Sequence, residues 1–302
     1  MSTSGTSTSA AAQHRSVSRA IRSLDTLEGG GVEIHRAFPI PQLDAIDPFL
    51  LLDHMGPIDY RPGEDTGFPD HPHRGFETVT YLLEGQMEHQ DSFGNRGFLN
   101  AGDVQWMTAG SGLVHSEMPG RDLVRQGGRL EGFQLWVNLP RRDKMTAPRY
   151  QELKAAEIPV AASPNGEVLV KVIAGESLGV RGAIESRTPI LYLHLTLAPG
   201  AKFAQAVPRH FNALSYVIRG QAQFEGAPEA QGEKRLILFS HDGDEIRVAN
   251  PSAQPLDLLL IAGLPIGEPV ARHGPFVMNT REELVQAFED FRDGKMGRIR
   301  RN

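Results

Sequence analysis

Asp70-His71-Pro72-His73-Arg74-Gly75-Phe76-Glu77-Thr78-Val79-Thr80-Tyr81-Leu82-Leu83-Glu84-Gly85-Gln86 carries a strand and the turn that ends it. Glu77 to Leu83 is a short run of β-branched, aromatic and aliphatic residues, and Glu84-Gly85 breaks it. The phrase returns as Tyr216-Val217-Ile218-Arg219-Gly220-Gln221, in step with Tyr81 to Gln86, and Gly102-Asp103 is answered by Gly243-Asp244 at nearly the same offset. A repeat at this spacing predicts two related β domains with a join around residues 140–165.

Further apolar runs of the same kind are Val104–Met107, Phe133–Val137, Val168–Ala174, Ile190–Leu197, Leu214–Ile218, Leu236–Phe239 and Leu256–Ile261. Glycine, asparagine, aspartate or proline interrupts them roughly every 8–12 residues, the rhythm of an all-β sandwich or barrel. One helix is expected, over residues 281–293. Thr280 to Glu283 reads as a capping box, Leu284, Phe288 and Phe291 form its apolar stripe, and Gly294 is its stop. The expected division is a flexible Ser/Thr/Ala-rich tail at 1–18, a first domain at 19–145, a second at 146–290 with its closing helix, and a solvated basic tail at 294–302. An organelle transit peptide is the second reading of the first tail.

The 302 residues include 40% hydrophobic ones, enough for a true core, and no cysteine. Disulfides, Cys-ligated zinc, iron–sulfur clusters and thiol nucleophiles are thereby excluded, so any metal must be held by His, Asp or Glu. A net charge of −6 argues against a direct nucleic-acid surface. No apolar run approaches the roughly 18 residues of a membrane-spanning helix, and no apolar leader of the secretory type opens the chain, so a cytoplasmic protein is expected.

The eleven histidines are not scattered evenly. In an extended segment residues i and i+2 share a face, so His71 and His73 aim two imidazoles at one point. His115-Ser116-Glu117 repeats that logic. Three imidazoles and a carboxylate from two strands suit iron, manganese, nickel, copper or zinc, and four protein ligands on a six-coordinate ion leave two positions for substrate or dioxygen. Glu77 is in phase with His73, but four residues of strand rise roughly 13 Å, so Glu117 is the expected ligand and Glu77 a supporting carboxylate. His89 and Asp91 read as exposed strand residues, and His54 as a buried or hydrogen-bonded loop residue. His35, His194, His210, His241 and His273 read as background. No nucleophile elbow, phosphate-binding loop or dinucleotide fingerprint is present. In the register of the repeat, His71 and His73 fall on Ala206 and Pro208, and His115 and Glu117 on Leu256 and Leu258, so the second domain is expected to lack the metal site.

At these residues the chain resembles the pirin family, a branch of the two-domain cupins. The matching stretches are Asp47 to Asp53 (DPFLLLD), Asp70 to Gly85 (DHPHRGFETVTYLLEG), Gly102 to Pro119 (GDVQWMTAGSGLVHSEMP) and Gly132 to Pro140 (GFQLWVNLP). The resemblance implies two cupin domains packed face to face and one mononuclear metal, usually iron, in the first. It carries the ligand roles onto His71, His73, His115 and Glu117. The general cupin pattern would use Glu77 and would place proline at Thr108; both departures are ones pirins share. The implied activity is a quercetin 2,3-dioxygenase type of oxygenation, with a flavonol and dioxygen as substrates, Fe(II) as the ion, and Glu117, or as the second choice Glu77, accepting the flavonol hydroxyl proton. The alternative it implies is a metal-dependent regulatory protein, a transcriptional co-regulator or modulator of a metabolic enzyme. A monomer is expected for two fused cupins.

Overall fold

The structure, a computed structural model, describes residues 12–301. Its frame is a pair of seven-stranded antiparallel sheets. The first runs in the order Arg149–Leu153, Val104–Thr108, Phe76–Glu84, Gly128–Asn138, Phe49–Tyr60, Val32–Phe38, Leu24–Glu28. The second runs Val17–Arg22, Arg235–Phe239, Asn212–Arg219, Leu256–Gly263, Ile190–Leu197, Val168–Ala174, Val160–Ala162. Each is backed by a smaller sheet to make a cupin barrel. Behind the first lie Phe68–His73, Leu113–Pro119, Gln86–Asp91 and Arg96–Asn100; behind the second lie Lys202–Ala206, Glu245–Ala249 and Gln223–Phe224.

The two large sheets pack face to face, and strand alternation explains how. Val79, Tyr81, Trp106, Phe133 and Leu135 of the first meet Tyr192, Leu214, Tyr216, Leu259 and Ile261 of the second in one apolar cluster. The intervening residues, such as Thr80 and Leu82, point into the first barrel. The interior of the second barrel is apolar, with Leu195, Phe203, Val217, Ile246, Val248, Leu258 and Leu260 packed together. The repeated glycines take one conformation, φ 87° at Gly85 and 86° at Gly220. A Cβ there would lie 2.5 Å from Arg129 O or 2.7 Å from Pro255 O, so the repeated turn requires glycine.

The ends of the chain depart from the expected boundaries. Residues 1–11 lie outside the described residues, but the rest of the expected 1–18 tail is anchored. Arg15 is 1% exposed and donates to the carbonyls of Gly243, Phe211 and Pro208, and Val17–Arg22 adds a strand to the second sheet. Arg149–Leu153, beyond residue 145, completes the first sheet instead. The C-terminal segment crosses back to the first domain as the hairpin Ala271–His273 and Phe276–Met278 and the helix Arg281–Arg292. Each domain thus carries a terminal segment from the far end of the chain.

Thr280 caps the helix as the sequence indicates. Its Oγ1 accepts the Glu283 amide at 3.2 Å, while its own amide donates to the Glu283 carboxylate at 3.1 Å. The buried residues of the helix are Leu284 and Ala287, whereas Phe288 and Phe291 lean on Phe276 with their outer faces exposed. The expected solvated tail is also pinned: Met296 is buried, Ser92 Oγ donates to its carbonyl at 2.7 Å, and Arg301 pairs with Asp70. No helix among the described residues is long and apolar enough to cross a membrane.

Candidate metal centre

His71 and His73 lie on the edge strand Phe68–His73, where Pro72, lacking an amide proton, costs no ladder bond on the open side. The neighbouring strand Leu113–Pro119 sets His115 directly opposite His71. Alternation along one strand and pairing across two therefore bring the three rings together. Their ligand nitrogens lie within 4.8 Å of one another, the only such histidine or carboxylate group among the described residues. His71 is partly exposed, while His73 and His115 are buried.

The Nδ1 side of each ring is tied down. His71 Nδ1 donates to Pro69 O at 2.7 Å, and His73 Nδ1 to Pro275 O at 3.4 Å, the latter supplied by the returning C-terminal segment. His115 Nδ1 meets His89 Nε2 at 3.0 Å. At His71 and His73, whose Nδ1 atoms face carbonyls, a proton held on Nδ1 leaves the Nε2 lone pair facing inward, the arrangement of a metal-binding histidine. Burial, and then the nearby charge of His71, push His73 and His115 well below the usual histidine range.

The donor set fits a cation. His71 Nε2 and His73 Nε2 are 3.0 Å apart, and His115 Nε2 is buried without a hydrogen-bond partner. Facing lone pairs at that distance repel unless a proton or cation lies between them. Two nitrogens each about 2.1 Å from one ion, at right angles, would stand about 3.0 Å apart.

Glu117 lies on the same strand as His115, beyond a bulge in its pairing with Phe68–His73. It is buried, but its oxygens are taken up elsewhere and it does not belong to the group of three. Oε1 accepts Thr80 Oγ1 at 2.8 Å, and Oε2 accepts Gln134 Nε2 at 2.9 Å. Gln134 is oriented in turn by Trp136 Nε1, which donates to its Oε1 at 3.0 Å.

Three expectations need correction. Glu77 is not in phase with His73, because the chain breaks at Arg74-Gly75 and resumes as a strand of another sheet. Glu77 shares the face of Val79 and Tyr81, toward the second domain; Thr108 Oγ1 donates to its Oε1 at 2.6 Å, Oε2 has no partner, and burial raises its pKa. His89 and Asp91 are each 2% exposed rather than solvated; Asp91 closes its turn by accepting the amides of Phe93 and Asn95. The repeat register also misplaces the counterpart of His115. Leu256–Gly263 belongs to the large sheet, and the strand equivalent to Leu113–Pro119 is Glu245–Ala249, where Ile246 and Val248 fill the barrel.

His89 and Pro275 lie outside the quoted motifs, and Thr80 and Gln134 lie inside them without a role assigned, because each reaches the centre from a different strand or segment. The one usable signal was the short hairpin after Gly85, whose pairing sets His89 opposite Glu117. A cleft of about 1440 Å³ lies in the second domain among Glu176, Arg181, Arg187, Gln205 and Asp244, away from the histidines. The cavity beside Glu117 is only about 10 Å³, and of the three histidines His71 alone is partly exposed.

Two family models match the chain, Pirin over residues 31–137 and the Pirin C-terminal cupin domain over residues 192–297. Pirin of Homo sapiens is 45% identical over 286 residues, 94% of each chain. A pirin-like protein of Solanum lycopersicum is 45% identical over 270 residues, 89% of each. The crystal structure of quercetin 2,3-dioxygenase from Acinetobacter baumannii is similar with a TM-score of 0.89 at 35% identity, covering 95% of this chain and 100% of that one.

Proposed function

Because the chain belongs to the pirin family, we propose that it is a metal-dependent oxygenase of the quercetin 2,3-dioxygenase type, acting on a flavonol with dioxygen at one divalent ion, iron foremost. One observation carries the reading: three imidazoles turn their Nε2 atoms to one point, and His115 Nε2 is buried there without a protein partner. The likeness to the 35% identical Acinetobacter baumannii enzyme supports the choice of activity.

A bound divalent ion supplies Lewis acidity to a hydroxyl oxygen and open positions for small ligands. The chain supplies the rest. His71, His73 and His115 would hold the ion, and Glu117 would join them were one oxygen released from Thr80 or Gln134; its carboxylate is placed in this reading to take the proton of the flavonol 3-hydroxyl. Phe76 and Trp136, with ring centroids 5.1 and 5.0 Å from that of His73, shield the inner side from water. Substrate enters beside His71.

Metal analysis and aerobic quercetin turnover on one preparation test the proposal, with His73→Ala as control. Oxygen-dependent bleaching with release of carbon monoxide, absent in the variant, is the expected result. Protein fully loaded with iron, manganese, nickel or copper that leaves quercetin intact rejects it.

A second reading, a metal-dependent interaction protein, has its own observation. Pro275, whose carbonyl holds His73, leads directly into the hairpin and helix that leave Val285, Phe288 and Phe291 exposed. A change at the ion would then reach a surface. Unchanged hydrogen exchange over residues 271–292 on oxidation of the ion would dismiss this reading.

A further inference from the structure

Two of the three histidines are fixed by backbone carbonyls, which only accept and so dictate a proton on Nδ1. His115 differs, because its Nδ1 faces another imidazole, and a ring nitrogen either donates or accepts. The tautomer of His115 is therefore set by His89. If His89 Nε2 carried the proton, His115 would carry its own on Nε2, pointing into the cluster where it has no partner. If His89 Nε2 accepts, His115 keeps its proton on Nδ1 and offers Nε2 as a ligand.

We propose that His89 is a positioning residue for the metal centre: its unprotonated Nε2 accepts the His115 Nδ1 proton and so fixes both the ring orientation and the ligand-ready tautomer of His115. The inference rests on the reading of His71, His73 and His115 as a metal site, and adds a residue that touches neither ion nor substrate. The surroundings of His89 favour the accepting state. The residue lines a cleft of about 370 Å³ with Asn95, Arg96, Gly97, Tyr150 and Glu152, and the Tyr150 hydroxyl, a donor, lies 3.4 Å from the same Nε2, which favours an unprotonated Nε2. Its ring also stands 5.1 Å from that of Tyr150, centroid to centroid at 65°, which limits rotation. The strand Gln86–Asp91 is paired on both sides, by Leu113–Pro119 and Arg96–Asn100, so the support is rigid.

The test uses the full chain, first without metal. Long-range ¹H–¹⁵N NMR of histidine-labelled protein reads the His115 tautomer directly. An Nδ1–H, Nε2-bare ring is expected in the parent protein, and an Nε2–H ring overturns the proposal. Metal affinity follows, by chelator competition with Fe(II) and with Co(II), whose visible spectrum reports ligand geometry. His89→Leu removes the acceptor and should weaken binding by about 10–100-fold. His89→Gln places a carbonyl oxygen near the lost Nε2 and should restore most of that loss together with the parent Co(II) spectrum. Equal affinity of parent and His89→Leu, or a Gln variant no better than Leu at matched apo-protein melting temperature, overturns the proposal. Failure of the parent chain to bind either ion would instead reject the metal-site reading itself.

Discussion

The Tyr81 hydroxyl of the first domain bonds to His194 Nδ1 of the second at 2.8 Å, and the Tyr216 hydroxyl of the second bonds to His54 Nδ1 of the first at 3.3 Å. The two bonds are related by the internal repeat. Tyr81 and His54 flank Phe133 on neighbouring strands, as Tyr216 and His194 flank Leu259. Each histidine has a carboxylate on its far side: Glu131 lies 2.9 Å from His54 Nε2, and Asp257 lies 3.7 Å from His194 Nε2. In the first domain the chain of bonds is complete, Tyr216 O–H to His54 Nδ1 and His54 Nε2–H to Glu131; in the second the Tyr81 O–H donates to His194 Nδ1, while His194 Nε2 faces Asp257 beyond hydrogen-bond distance. The repeated tyrosine is thus a reciprocal clasp between the domains.

Replacing Tyr81 by Phe leaves His194 Nδ1 buried without its donor, a loss of about 1–3 kcal/mol. Tyr216→Phe should cost less, because its bond is longer and His54 keeps the close Glu131 contact. Urea unfolding of both variants checks the ranking. A Tyr216→Phe loss equal to or above that of Tyr81→Phe would contradict it.

Acid should loosen the same interface. Burial lowers the His54 pKa, more than the hydrogen bond and charge of Glu131 raise it. The folded value lies below the unfolded value of about 6.5, so the unfolded chain takes up the proton first. Stability is complete above that pH and falls as pH drops toward the folded value, by at most about 1.4 kcal/mol per pH unit for each such group. In metal-free protein His73 and His115 act in the same direction. Urea midpoints at pH 7.5, 6.5 and 5.5 should decrease in that order, with a shallower slope in His54→Gln. A midpoint that holds or rises on acidification would refute the assignment.

The histidine cluster was legible because its logic is local. His71 and His73 share a strand face at any register, and His115 needed only a neighbouring strand. Glu77 was misread because phase survives only within one strand, and nothing in Arg74-Gly75 announces that the chain changes sheets. His89 was misread because the buried face of a hairpin is decided by what packs on it, here His115 and Tyr150. The repeat of Tyr81 and Tyr216 was visible, but its purpose was not, since each tyrosine acts on the other domain. Arg15 and Met296 looked like tail residues because their partners lie 193 to 228 positions away for the first and 204 for the second.

The returning C-terminal segment depends on one glycine. Gly75 has φ 89°, and a Cβ there would stand 2.0 Å from Val277 O. Lys144 Nζ closes the same junction by donating to Gly75 O at 2.9 Å and Val277 O at 3.0 Å. Gly75→Ala must displace the segment that brings Pro275 to His73, at a cost of about 2–3 kcal/mol. Limited proteolysis should then cut within residues 264–301 well before the parent chain is cut, and the melting temperature should fall. An alanine variant as resistant as the parent would show that the segment is not held at this point.

Glu117 offers the sharpest division between two roles. Its carboxylate accepts from Thr80 and Gln134, so it is a structural hub whatever else it does. Glu117→Gln keeps the shape but replaces one acceptor oxygen by an NH₂ group, which must oppose either the Gln134 amide or the Thr80 hydroxyl. Thr80 can reverse its proton; Gln134 is held in its orientation by Trp136, so the new NH₂ is driven toward Thr80. The apo-protein should therefore lose only about 1 kcal/mol. Metal affinity separates the roles, because a neutral amide is a far poorer ligand than a carboxylate. If Glu117 is the fourth ligand, Glu117→Gln lowers affinity by at least about tenfold, while Thr80→Val, which frees Oε1 to turn toward the ion, lowers it much less. Chelator competition on the two variants reads the difference. Parent-like affinity in Glu117→Gln, accompanied by the same small stability loss, would leave the three histidines as the whole protein ligand set.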